Sequence, residues 1–144
     1  MVRQLVLVAF CLFAASCSWP TAGVPSTPTP DASGAYECVL RYQLGKQPAD
    51  VKAFISVDGK DPSAELLTRL RKEWPNLRPM SEDPRQEGLR VYVEVPRWNE
   101  GKAVLKAGYW FPTGFGTEAY FADHHVIQEN GQWVVKEVTN ETMT

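Results

Sequence analysis

Hydrophobic and polar positions change period part-way along this chain. From Leu89 onward apolar residues alternate: Leu89, Val91, Val93 and Val95 against Arg90, Tyr92, Glu94 and Pro96. Period-two alternation predicts a half-buried strand. Lys102 to Phe111 continues it, with Ala103, Leu105, Ala107, Tyr109 and Phe111 on one face. Glu118 to Gln128 and Trp133 to Thr139 are predicted as two further strands. They are joined through Asn130-Gly131, a dipeptide favoured in tight hairpins. Short hairpins between four strands predict an antiparallel meander.

Before Leu89 the spacing is helical. Ala35 to Leu44 places Tyr36, Val39, Leu40 and Gln43 on one side. Asp31 or Ser33 suits its N-cap, and Gly45 with Pro48 stops it. Asp61-Pro62 reads as the start of a second helix carrying Leu66, Leu67, Leu70, Trp74 and Leu77 as its apolar stripe. Pro75 ends that stretch. Val51 to Val57 is rich in β-branched residues, which favours an extra strand; helix is the competing reading. The expected fold class is α+β, a four-stranded antiparallel meander packed against one or two short helices.

Residues 1–33 follow neither period. Met1-Val2-Arg3-Gln4 is cationic, Leu5 to Ala14 is a short apolar run, and Ala14-Ala15-Ser16 are small. That order describes a secretory signal, with an apolar run too short for a permanent transmembrane helix. Cys17 follows at once, and Ser18 to Ser33 is rich in Pro, Thr, Ser and Gly with nothing to form a core. The exit from the signal resembles the lipobox of bacterial lipoprotein precursors. The resemblance implies cleavage before Cys17, acylation of Cys17, and anchoring to membrane lipid in the bacterial cell envelope. Ser18 after the cysteine resembles cargo sent to the outer membrane of a two-membraned host. The expected organisation is a signal over 1–16, a lipidated tether over 17–33 and one α+β domain over 34–144.

Composition narrows function by exclusion. The chain has 144 residues and a formal net charge of −2, and no basic block predicts a nucleic-acid partner. The signal would carry away Cys11 and the lipobox resemblance implies acylation of Cys17, which leaves Cys38 without an intramolecular partner; it reads as a small buried apolar residue, with an intermolecular disulfide or a catalytic thiol as the alternatives. No cluster of ligands predicts a metal, and no cofactor motif is present. Asp123 and His125 share a strand face and are the candidates for a general-base pair; His124 points the other way. Tyr109, Trp110, Phe111, Phe115, Tyr120 and Trp98 are the aromatic candidates for ligand or partner contact.

The element order, with the closing Asn130-Gly131-Gln132-Trp133-Val134-Val135 hairpin, resembles the cystatin-like and nuclear-transport-factor-2-like folds. That resemblance implies a curved antiparallel sheet wrapped around helices. Ile55 to Ser63, followed by a Leu-rich helix, also resembles a small class of bacterial lipoproteins and implies no activity. The leading expectation is a non-enzymatic envelope lipoprotein that binds a protein partner or a small apolar ligand. A cone-fold enzyme or sensor using Asp123 and His125 is the alternative. A structural or assembly factor acting through a sheet edge is the third.

Overall fold

The structure is a computed structural model that describes residues 31–144. The signal, Cys17 and residues 18–30 of the tether lie outside the described residues. The first helix, α1, runs Ala32–Leu44 and so begins before the expected Ala35. Asp31 is its N-cap, accepting from the Ser33 backbone N–H at 2.9 Å, and Gly45 is its C-cap. Ala35, Val39, Leu40, Gln43 and Leu44 are the buried stripe.

Five strands make most of the sheet: β1 (Ala53–Val57), β3 (Leu89–Val93), β5 (Lys102–Thr113), β6 (Gly116–Glu129) and β7 (Gln132–Met143). Two short strands complete it: β2 (Arg78–Pro79) and β4 (Arg97–Asn99). The sheet order is β2-β1-β3-β5-β6-β7, with β4 also paired to β5.

The four-stranded antiparallel meander is therefore corrected to a seven-stranded mixed sheet packed against two helices, an α+β fold. The cystatin-like and nuclear-transport-factor-2-like expectation falls with it. Its cause is β1. This strand runs parallel to β3 on one side and to β2 on the other. Parallel neighbours need long crossovers rather than hairpins. One is α2 (Ala64–Leu70); the other is the polar loop from Met80 to Gly88. A strand covered on both faces does not alternate, and Ala53, Phe54, Ile55 and Ser56 are all buried.

The second helix starts later than its sequence signals suggest. Ser63 caps it, accepting from the Leu66 N–H at 3.2 Å. Asp61 instead binds the Ser81 backbone N–H at 3.0 Å and its hydroxyl at 2.6 Å, holding the crossover loop. Leu66, Leu67, Leu70, Trp74 and Leu77 all enter the core, as the stripe predicts. In the same cluster are Val39, Leu40 and Leu44 of α1, with Ile55, Val91, Val93, Leu105 and Val126 of the sheet. Both α-helices therefore lie on one side of the sheet, and among the described residues no α-helix covers the other.

Gly108 marks a close approach of β5 and β6. A Cβ there would sit 1.9 Å from the Tyr120 carbonyl oxygen, so only glycine fits. At the edge, β7 is twelve residues long but broken by two register shifts against β6. It also carries Lys136, Glu137 and Glu141. Bulges and charges blunt an edge strand against pairing with another chain.

Candidate functional site

Helix α1 ends at Leu44, but the sheet beneath it continues. On the helix side of the sheet, Tyr109 on β5 pairs across the ladder with Tyr120 on β6, and Tyr120 with Met143 on β7. The Tyr109 and Tyr120 rings stack with centroids 5.4 Å apart and planes 26° apart. Phe111, two residues along the same face, stacks on Tyr109 at 6.4 Å. The last turn of α1 adds Tyr42, which remains 39% exposed. Met143 is exposed beside this row, and Phe115 stands fully exposed at the tip of the β5–β6 hairpin. Tyr42, Tyr109, Phe111 and Tyr120 form an aromatic shelf past the end of the helix, with Tyr120 buried at 6% exposure, Tyr109 and Phe111 half-buried, and Phe115 beyond them at the hairpin tip.

Two polar features organise the shelf. The Tyr120 hydroxyl donates to Glu141 Oε2 at 2.9 Å. Burial and this carboxylate push the Tyr120 hydroxyl well above the ordinary tyrosine range, so it stays protonated. The Lys46 ammonium lies 4.6 Å from the Tyr42 ring centroid and 4.8 Å from that of Tyr120. Those are cation–π distances.

Behind the shelf sits His124, fully buried. Its Nδ1 is 3.2 Å from the Ala122 carbonyl and its Nε2 is 2.5 Å from Gln43 Nε2. The Tyr42 ring meets it edge-on at 5.4 Å. Burial first, with Lys46 nearby, depresses the His124 pKa. Gln43 is also fully buried, and its Oε1 has no hydrogen-bond partner among the described residues.

The structure divides the sequence candidates. Tyr109, Phe111 and Tyr120 come together, with Phe115 beyond them. Trp110 projects from the opposite face, under the Arg90 guanidinium at 4.6 Å. Trp98 is paired with Trp133 at 5.6 Å, where Trp133 also lies against Gly34 in the first turn of α1. Sequence reasoning missed Tyr42, Lys46, Gln43 and Met143. Tyr42 and Lys46 are four residues apart around a helix end, which is a legible spacing. Their convergence on Tyr120 is tertiary.

Asp123 and His125 lie on the helix-free side of the sheet. Asp123 accepts from Asn140 Nδ2 at 2.8 Å and pairs with Arg97 at 3.1 Å. The Asn140 hydrogen bond, aided by Arg97, holds the Asp123 carboxyl below the usual carboxylate range against its partial burial. His125 Nε2 meets Thr139 Oγ1 at 2.9 Å. Each side chain hydrogen-bonds to β7 and Asp123 also pairs with Arg97 of β4, while between the two the structure shows an electrostatic influence of His125 on Asp123 and no hydrogen bond. Cys38 is a half-buried free thiol whose pKa burial raises, against a hydrogen bond with the Val135 backbone.

Among the described residues, no group of three or more His, Cys, Asp or Glu side chains converges to hold a metal. No helix among them is long and apolar enough to cross a membrane. Comparison of the chain with protein-family models, curated proteins and solved structures found no match.

Proposed function

We propose that this chain is a lipid-anchored binding protein of the bacterial envelope that holds a protein partner on its aromatic shelf. The observation that carries this reading is the stacked row of Tyr109, Phe111 and Tyr120, continued outward by Tyr42, Met143 and Phe115. Aromatic side chains give large contact area at small entropic cost and dominate protein interfaces. Tyr42, Met143 and Phe115 are exposed along the shelf, whereas a small apolar ligand needs a concave site that buries most of it. That favours the partner over the ligand. A binding role is favoured over the enzymatic alternative because Asp123 and His125 each hold a structural hydrogen bond on the helix-free face. The edge-assembly alternative is disfavoured by the bulges and charges along β7. The lipid anchor at Cys17 rests on the lipobox resemblance, with the proline-rich tether as spacer.

The test places a photo-crosslinking side chain at Phe115, and separately at the exposed Thr68 of α2, in the full chain expressed with its own signal. The expected result is one defined adduct from position 115, absent from 68. It should be lost on Tyr42→Ala while circular dichroism is unchanged. Adducts that are the same at both positions, or indifferent to Tyr42→Ala, overturn the reading. Intact mass with a Cys17→Ala control tests the anchor. Acyl mass at Cys17, lost with membrane association in the control, supports it; an unmodified soluble chain removes it.

A further inference from the structure

We infer that the shelf is a site for a cation, and that the partner it holds presents a lysine or arginine side chain which replaces Lys46. This rests on the partner-binding reading and names the chemistry of the contact.

Lys46 is the cation that occupies the shelf in the structure. Its ammonium stands over two tyrosine rings at once, 4.6 Å from Tyr42 and 4.8 Å from Tyr120. No carboxylate lies within ion-pair distance of it among the described residues. The rings are therefore its direct partners. A ring attracts a cation through the negative potential of its face. Tyr120 is reinforced in this respect, because its hydroxyl donates to the Glu141 carboxylate at 2.9 Å. That donation pushes electron density into the ring, and Glu141 adds its own negative charge nearby. Tyr109, stacked on Tyr120 with centroids 5.4 Å apart and planes 26° apart, supports the ring's plane. Glu118, cross-strand from Phe111, places a further carboxylate beyond the row.

Lys46 lies two residues past Leu44, the last residue of α1, and its side chain is exposed, so its flexible stem can swing out to water. What stays behind is a pair of rings already held at cation distance from one point. An arriving cationic side chain with apolar neighbours satisfies both the rings and the apolar row from Tyr109 to Phe111. Lys46 acts as a resident competitor that keeps the rings occupied until such a partner arrives.

The mature full-length chain, in detergent, is titrated with tetramethylammonium and with neopentyl alcohol, a neutral molecule of similar shape. Ring proton shifts of Tyr42 and Tyr120 are followed by NMR. The expected result is that tetramethylammonium shifts both rings and that Lys46→Ala tightens its binding about fivefold. Tyr42→Leu should abolish the effect and Tyr42→Phe should keep it. Neopentyl alcohol should show no dependence on Lys46. Equal response to the two probes, equal affinity with and without Lys46, or no ring shift at millimolar concentration each overturns the inference. The two readings fail separately. A Phe115 crosslink that persists while tetramethylammonium does not bind removes the cation site alone. Ammonium binding without a specific crosslink removes the protein partner alone.

Discussion

Gln43 of α1 and His124 of β6 meet inside the core, amide Nε2 to ring Nε2 at 2.5 Å, and both are fully buried. The geometry has one consistent neutral form. His124 Nδ1–H donates to the Ala122 carbonyl, and its Nε2 lone pair accepts from the Gln43 amide. Protonation would put a second N–H on the ring, facing an N–H donor. Gln43 would have to turn its unpartnered Oε1 toward the ring and leave its NH2 unpaired.

The His124 pKa is depressed in the fold, so the unfolded chain takes up this proton first. Stability is then level above the ordinary histidine pKa of about 6.5 and falls as pH drops from there toward the lower folded value. One proton changes stability by at most about 1.4 kcal/mol per pH unit. Urea midpoints at pH 7.5 and pH 5.5 check this, the lower pH giving the lower midpoint. Asp83, Asp123 and Glu37 have lowered pKa values and lose their contribution only in more acidic solution. A midpoint unchanged across this window would show that folding does not depress the His124 pKa.

Removing one member of this pair should cost more than removing both. His124→Ala leaves a cavity and an unpaired amide and is expected to cost about 3 kcal/mol. A double substitution to leucine removes both polar groups at similar volume and should cost under about 1.5 kcal/mol. It should also flatten the pH dependence. Denaturant melts of the two singles and the double give the coupling between them.

Asp83 and Arg90 form the second buried polar centre. The carboxylate accepts from Arg90 Nε at 3.0 Å and from the backbone N–H groups of Glu87 and Gly88 at 3.1 and 3.2 Å. Burial alone would raise this carboxyl; the Arg90 and backbone hydrogen bonds outweigh it and hold it low. The cluster straps the Met80–Gly88 loop over Phe54, whose ring would touch any Cβ at Gly88. Arg90→Met should destabilise by about 3 to 5 kcal/mol, because it strands a buried charge. The loss should shrink once Asp83 is protonated at low pH, which a urea series at pH 7 and pH 3 would reveal.

Gly108 and Gly34 both face atoms where a Cβ would go, but the obstacles differ. At Gly108 it is the Tyr120 backbone, at 1.9 Å; at Gly34 it is the Trp133 ring, at 2.4 Å. A half-buried ring can rotate and a ladder backbone cannot without breaking pairing. Gly108→Ala is expected to cost about 3 kcal/mol or more, and Gly34→Ala less than half of that. Thermal melts that rank them the other way would show that Trp133 is the more rigid neighbour.

Between the helices, Glu37 links Arg41 and Arg69 at 2.9 and 2.7 Å, while Glu73 pairs with Arg41 from an exposed position. Glu37 is the less exposed acid and holds two partners. Glu73→Gln should change stability by under about 0.5 kcal/mol, and Glu37→Gln by about 1 kcal/mol. Both follow from urea midpoints at moderate salt.

Local pattern determined much of this protein without help from the fold. The alternation from Leu89 identified β3, which ends at Val93 and leaves Val95 exposed rather than on the expected inward face, and that from Lys102 to Phe111 identified β5, because one face of each meets the core. The Asn130-Gly131 pair identified the β6–β7 turn, where both residues take positive φ, at 51° and 77°. The spacing of Leu66, Leu67, Leu70, Trp74 and Leu77 marked the residues that α2 and its following turn would bury. Asp31 was one of two cap candidates for α1, and the structure selects it over Ser33, whose backbone N–H it accepts from.

Tertiary structure decided the rest. β1 carries no alternation because it is covered on both faces, so its parallel place between β2 and β3 left no period-two mark. A two-residue strand such as Arg78–Pro79 is too short to have a period at all. Adjacent histidines must point to opposite faces, but which one is buried depends on where α1 lies, and α1 lies over His124. The shelf is decided in the same way. Tyr109 and Tyr120 meet through the register of the β5–β6 hairpin, and Tyr42, far away in sequence, joins them only through the placement of the α1 end, where Lys46 spans the Tyr42 and Tyr120 rings. Short-range periodicity records which face of an element is buried; it does not record which element will cover it.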